Sequence, residues 1–156
     1  DFPSNESCVD RVNGFLAGLG DNKDKFEIVA QQDGEAALDA SLALADDIII
    51  ANPELDAFFC INDPSALGAA ASIKAANKTG QIGVYSIDAS PDGKQALLDG
   101  EFTAVAAQVP LQIAEYSFEE AMKFLKGQGS ITEKKVYLDS HLVLEDEAKE
   151  TINDWQ

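Results

Sequence analysis

Apolar residues recur along this chain at two alternating periods. Val9, Val12, Phe15, Leu16 and Leu19 share one face at helical spacing, and Gly20 closes the segment. This predicts an amphipathic helix of about three turns, capped by Asn5 or Ser7. Residues 26–31 (FEIVAQ) carry side chains suited to a strand and run into a turn at Gln32, Asp33 and Gly34. Residues 35–51 return to the helical period through Leu38, Leu42, Ala45 and Ile49, and stop at Asn52 and Pro53, where a helix cannot continue. The run Ile48, Ile49, Ile50 lies inside that pattern and is read as helix.

The second half repeats the alternation. Residues 58–61 (FFCI) predict a short buried strand, after which Asn62, Asp63 and Pro64 open an alanine-rich helix reaching about residue 77. Its alanine density implies close packing on a sheet. Lys78, Thr79 and Gly80 turn the chain into a strand at 82–87, which ends in Asp88; Ser90 and Pro91 then cap and begin a short helix to Leu98. A strand at 102–107 leads to Gln108. Pro110 starts a long helix with Ile113, Ser117, Ala121, Phe124 and Leu125 on one side, closed by Gly127 and Gly129. Strand pieces at 136–138 and 142–144 and a polar helix over 145–155 complete the chain.

Such alternation predicts an α/β fold with an open, doubly wound parallel sheet and helices on both faces. The sequence starts on the loop and helix of a strand–helix unit. A sheet of this kind starts with a strand, usually central, so the first strand is expected to be missing and the chain to be a fragment.

Composition narrows the function. The 156 residues with 46% hydrophobic content fit one domain with a core. With 28 acidic and 11 basic residues the formal charge is −17, which repels phosphate backbones and anionic lipid and argues against nucleic-acid and membrane partners. No apolar run approaches the roughly 20 residues of a membrane-spanning helix. Cys8 and Cys60 fit neither a disulfide scaffold nor a four-ligand zinc site, and read as two small buried apolar residues, with a disulfide between the two as the alternative.

No dinucleotide turn, phosphate loop or nucleophile elbow is present. His141 has no metal-spaced partner, and the carboxylate pairs Asp46–Asp47 and Glu119–Glu120 read as solvated helix faces. Neither catalysis, metal nor cofactor is expected. Hydrogen-bonding side chains do collect where strands end: Asn62 and Asp63, Asp88, and Gln108 follow three successive strands, with Arg11 near the start of the first helix. Parallel strands bring these to one edge. Acceptor-only Asp, donor-only Arg and the bifunctional amides form the mixture that grips vicinal hydroxyls. Taken singly, Asn62, Asp63 and Ser90 also read as helix caps and Asp88 as a turn residue.

The stretches AFFCINDPSALGAAASIKAA and GVYSIDASPDGKQALLDGEFTAVAAQVPLQIAEYSFEEAMKFLKG resemble the carboxyl-terminal lobe of type I periplasmic sugar-binding proteins, the ribose-binding-protein-like components of ABC importers. The likeness runs from about Glu6 to Leu144. It implies a single lobe of a two-lobe fold, binding a neutral sugar or polyol outside the cytoplasm, periplasmic or membrane-anchored, and delivering it to transporter membrane subunits. The family's Arg-x-x-Gly-Phe arginine falls on Arg11, the asparagine of its Asn-Asp pair on Asn62, its strand-ending aspartate on Asp88 and its hinge-proximal glutamine on Gln108. Asp63 is then expected to be the cap. Where relatives often place an aromatic on the sugar ring, this chain has Glu35 and Ala36. The resemblance further implies that the amino-terminal lobe is absent and that residues 109–130 cross to it. The helix within that segment is expected either to exchange between chains, giving a swapped homodimer, or to rest on the chain's own sheet. LacI-type repressors share the fold, so an effector-sensing domain is the alternative. A flavodoxin-like phosphoacceptor using Asp63 or Asp88 is a third reading, which lacks the required first-strand acids.

Overall fold

The computed structural model describes residues 2–128 and 136–155. Helix α1 spans Glu6–Gly18. Asn5 caps it, its Oδ1 accepting from the Ser7 and Cys8 amides at 3.0 and 3.4 Å. A 3-10 turn over Gly20–Lys25 follows. Then come α2 (Leu38–Ala51), β1 (Ala57–Phe59), α3 (Asp63–Ala75), β2 (Gly83–Asp88), α4 (Pro91–Leu98) and β3 (Ala104–Ala107). The chain continues through α5 (Pro110–Leu125), β4 (His141–Val143) and α6 (Glu145–Glu150). Ile48, Ile49 and Ile50 are helical, as their place in the apolar period requires.

The sheet has the order β1-β2-β3-β4. The first three strands are parallel, with Phe59 opposite Tyr85 and Asp88 opposite Ala107. The fourth departs from the expected all-parallel sheet: β4 runs antiparallel to β3, with Val105 opposite Val143. The cause lies in α5, which buries none of its residues and therefore does not cross back over a sheet face. A strand that re-enters from the end its predecessor left must run the other way. The same observation removes the expectation that α5 rests on the chain's own sheet.

Two other predicted strands are not formed. Residues 26–31 make no ladder, and Phe26, Ile28 and Val29 are exposed. Strand propensity alone cannot hold a segment with no neighbouring strand to pair with. Residues 136–138 are likewise outside any strand, and the terminal helix stops at Glu150. The expected closing turn at Gly127 is observed with positive φ, while Gly129 lies outside the described residues.

The core gathers Val84, Val105 and Val143 from the sheet with Ala66, Ala69, Ala70 and Ile73 of α3 and Ala45 and Ile49 of α2. Small side chains let α2 and α3 approach closely. A Cβ placed on Gly68 would lie 2.4 Å from the Leu38 carbonyl oxygen and 2.8 Å from the Leu42 nitrogen. Cys8 and Cys60 are free and buried, and burial pushes the Cys60 thiol up to about 12. Fully buried Lys94 holds the chain end: Nζ donates to the carbonyls of Thr151 and Asp154, each at 2.5 Å, and to Thr151 Oγ1 at 3.2 Å. Burial lowers its pKa.

Gly68→Ala sets two effects against each other. Helix propensity favours alanine by about 1 kcal/mol. Contact with α2 backbone, which cannot rotate away, costs about 1–3 kcal/mol. The expected result is a net loss of stability in urea denaturation; an unchanged or raised midpoint contradicts the packing argument.

Candidate functional site

The carboxyl ends of β1, β2 and β3 share one edge of the sheet, the place where open α/β folds receive ligands. Asp88 ends β2, Gln108 follows β3, and Ile61 and Asn62 lead from β1 into α3. Arg11 reaches across from α1. Its Nη1 donates to the Ile61 carbonyl at 2.6 Å and to Asp88 Oδ1 at 3.3 Å. Gln108 Nε2 donates to the same Oδ1. Two donors from distant parts of the chain thus converge on one carboxylate oxygen. The Arg11 and Asp88 side chains keep 19% and 18% of their surface, so the pair is sheltered but reachable. Asp88 Oδ2 has no hydrogen-bond partner among the described residues.

Asn62 joins this group through its neighbour Ile61, and its own side chain is otherwise engaged. Oδ1 accepts the Ser65 amide at 3.1 Å and Nδ2 donates to the Ala36 carbonyl at 3.0 Å. Asn62 is therefore the N-cap of α3, in the extended conformation usual for that position. The cap expected of Asp63 belongs to Asn62. One N–H and one lone pair of the Asn62 amide remain for a ligand.

Asp63 sits one residue inside the helix and is buried, 1% exposed. Its Oδ1 accepts from Ser86 Oγ at 2.7 Å; Oδ2 accepts from the Ser90 amide at 2.8 Å and from Ser90 Oγ at 2.6 Å. Ser90 Oγ in turn accepts the Gly93 amide at 3.1 Å, which makes Ser90 the cap of α4. The fit is tight: a Cβ on Gly93 would lie 2.2 Å from Asp63 Oδ2. Burial pushes the Asp63 carboxyl above its ordinary range, the bonds from Ser86 and Ser90 pull it back, and the Asp88 charge raises it further.

Both loops beside this edge hold strained backbone. Asp88 and Ala89 have φ of 132° and 54°, and Glu35 and Ala36 have φ of 55° and 54°. Such residues cost on the order of 1–3 kcal/mol each and persist where their surroundings hold them. The Asp33 carboxylate accepts the Glu35 amide at 2.9 Å, and Ala36 presents its carbonyl to Asn62. The Ala36 carbonyl and the buried role of Asp63 escaped sequence reasoning. The available signal was Gly93, a poor helix former in the first turn of α4, which marks a close approach. His141 is exposed, pairs with Glu147 at 2.8 Å and lies opposite Ala107 in the β3–β4 ladder. Among the described residues no cluster of His, Cys, Asp or Glu could hold a metal.

The folded pKa of Asp63 lies above its unfolded value, so its contribution to stability is full below the unfolded value and is lost as pH rises through the folded one. Asp63→Asn cannot titrate. The stability of wild type minus that of Asp63→Asn should therefore fall as pH is raised from about 4 to 7. Urea denaturation at stepped pH measures it, and a difference that grows with pH contradicts the assignment.

The family model described as a periplasmic binding protein domain matches residues 1–129. The chain is 34% identical over 119 residues to the ribose import binding protein RbsB of Salmonella typhimurium, which covers 76% of this chain and 39% of that protein. It is 33% identical over 120 residues to the D-ribose/D-allose-binding protein of Pseudomonas aeruginosa, covering 76% of this chain and 38% of that one. The chain thus spans less than half the length of these curated relatives. A solved galactofuranose binding protein matches with a TM-score of 0.83 at 29% identity, over 92% of this chain and 49% of that one. The Caulobacter myo-inositol binding protein matches with a TM-score of 0.82 at 26% identity, over 91% of this chain and 48% of that one. With most of its length covered by the family model, the chain belongs to the periplasmic binding protein domain family.

Proposed function

We propose that this chain carries one jaw of a sugar-binding cleft, in a protein that serves as the solute-binding component of an ABC import system for a neutral sugar or related polyol. The observation that carries the reading is the Asp88 carboxylate, held at Oδ1 by Arg11 and Gln108 while Oδ2 has no partner among the described residues. A carboxylate fixed in this way accepts hydrogen bonds from adjacent hydroxyls, and the remaining N–H groups of Arg11 donate to hydroxyl oxygens. Arg11 also offsets the charge that a neutral ligand would otherwise bury against. Asn62 and Gln108 complete the donor and acceptor set. The names of the relatives, which bind ribose and allose, support the same ligand class. These relatives are binding proteins, and the residues at the edge hold and orient without a bond-breaking step. The working place is extracytoplasmic, periplasmic or membrane-anchored, and the partners are the importer's membrane subunits.

In this reading residues 109–130, the last two of which lie outside the described residues, form the segment that crosses to an amino-terminal lobe of a longer protein. Leu111, Phe118 and Leu125 repeat every seven residues along α5 and are 66%, 67% and 74% exposed. An apolar stripe of this length calls for a cover. The partner lobe supplies it in the longer protein, and in the isolated chain a second copy takes its place.

Two measurements test these readings. Calorimetry of the full-length protein against D-ribose, D-allose, a galactofuranoside and myo-inositol should find a ligand, and Asp88→Ala should weaken it by about 10- to 100-fold. Unchanged affinity overturns the site. In sedimentation equilibrium the isolated 156-residue chain should dimerise, and Phe118→Asp should return it to monomer; a wild-type chain that remains monomeric overturns the exchange of α5.

A further inference from the structure

The carboxylate most completely buried among the described residues has no part in the contacts proposed for the ligand. Asp63 is 1% exposed, and its three hydrogen bonds all go to the segment that carries Asp88. Ser86 lies two residues before Asp88 on β2, and Ser90 two residues after it. Between them Asp88 and Ala89 both hold positive φ without being glycine. That conformation is costly for an alanine or an aspartate and persists where the surroundings hold it. Asp63 fixes both ends of the turn, one carboxylate oxygen to each. Ala89 is fully buried, so the turn is also packed from beneath.

We infer that Asp63 is a positioning residue for the ligand site: from the first turn of α3 it clamps Ser86 and Ser90, and so holds the strained Asp88–Ala89 turn that presents the Asp88 carboxylate to Arg11 and Gln108. The inference rests on the sugar-binding reading for its functional consequence, and on geometry alone for its structural one. The clamp also couples the strands. Asp63 follows Asn62, whose amide reaches the second strained pair at Ala36, so adjacent residues at the start of α3 restrain both loops that border the edge. Gly93 is the sequence cost of this arrangement, since any side chain there would collide with the Asp63 carboxylate.

The clamp is distinguishable from a general stabilising role. The full-length protein is compared as wild type, Asp63→Ala, Asp63→Asn, Ser86→Ala and Gly68→Ala. Hydrogen–deuterium exchange of peptides spanning residues 86–93 reads the turn, and calorimetry with D-ribose and D-allose reads the site. Asp63→Ala should speed exchange at Ser90 and weaken the sugar by about tenfold or more. Asp63→Asn retains a carbonyl for the Ser90 amide and an N–H for Ser86 Oγ, and should recover most of both. Gly68→Ala loosens α2 against α3 without touching the turn, so it should change neither readout. If Asp63→Ala does not fold, Ser86→Ala, which removes one bond without changing shape, should show the same two changes at smaller size. Exchange at 86–93 unchanged in both Asp63→Ala and Ser86→Ala overturns the clamp. Faster exchange in a protein whose wild type binds no sugar upholds the clamp and overturns the sugar-binding reading instead.

Discussion

The structure depends on a buried carboxylate that ties three elements together. Asp63 begins α3, accepts from Ser86 in the middle of the sheet, and accepts from the Ser90 backbone and hydroxyl where α4 begins. A carboxyl taken out of water is costly unless its oxygens are met by donors, and here three donors meet two oxygens. Satisfying that one group sets the spacing between α3 and α4, demands glycine at position 93 and leaves the Asp88–Ala89 turn a single conformation. The exposed face of the edge, with Arg11 and Gln108 on Asp88, is built on this hidden one.

Close packing of small side chains is the second constraint. α3 presents Ala66, Gly68, Ala69 and Ala70 to its surroundings, and at Gly68 the backbone of α2 leaves no room for a methyl group. Little shape-specific bulk is buried between these layers, so polar ties do much of the specifying. Ser72 to Asp46 links α3 to α2, and Asn62 to Ala36 links α3 to the loop before it. Lys94 performs the same service for the chain end, all three of its contacts being made to Thr151 and Asp154. Its cost of burial is offset by two carbonyls and a hydroxyl, with the charges of Asp154, Glu147 and Asp63 in support.

Against this rigid half stands α5, amphipathic and without a buried residue. Phe26, Ile28 and Val29 expose apolar side chains before α2, and Leu111, Phe118 and Leu125 expose theirs on α5. The chain spans 39% of the length of one curated relative.

Local chemistry was enough to place most helices and the three parallel strands. Asn5, Asn62 and Ser90 cap because short polar side chains can bond their own backbone, Pro64 and Pro91 start helices because they need no donor there, and apolar period separates helix from strand. The alternation of those elements was enough to bring Arg11, Asn62, Asp88 and Gln108 to one edge, and the resemblance to singled them out as a set. Three matters were left to the tertiary structure. Whether 26–31 becomes a strand depends on a pairing partner, the direction of β4 depends on α5 not crossing the sheet, and the division of labour between Asn62 and Asp63 depends on which side chain finds Ser86 and Ser90. Adjacent residues of similar chemistry are equivalent to a local argument; only the long-range contact, 23 residues away along the chain at Ser86 and 27 at Ser90, made one the cap and the other the clamp.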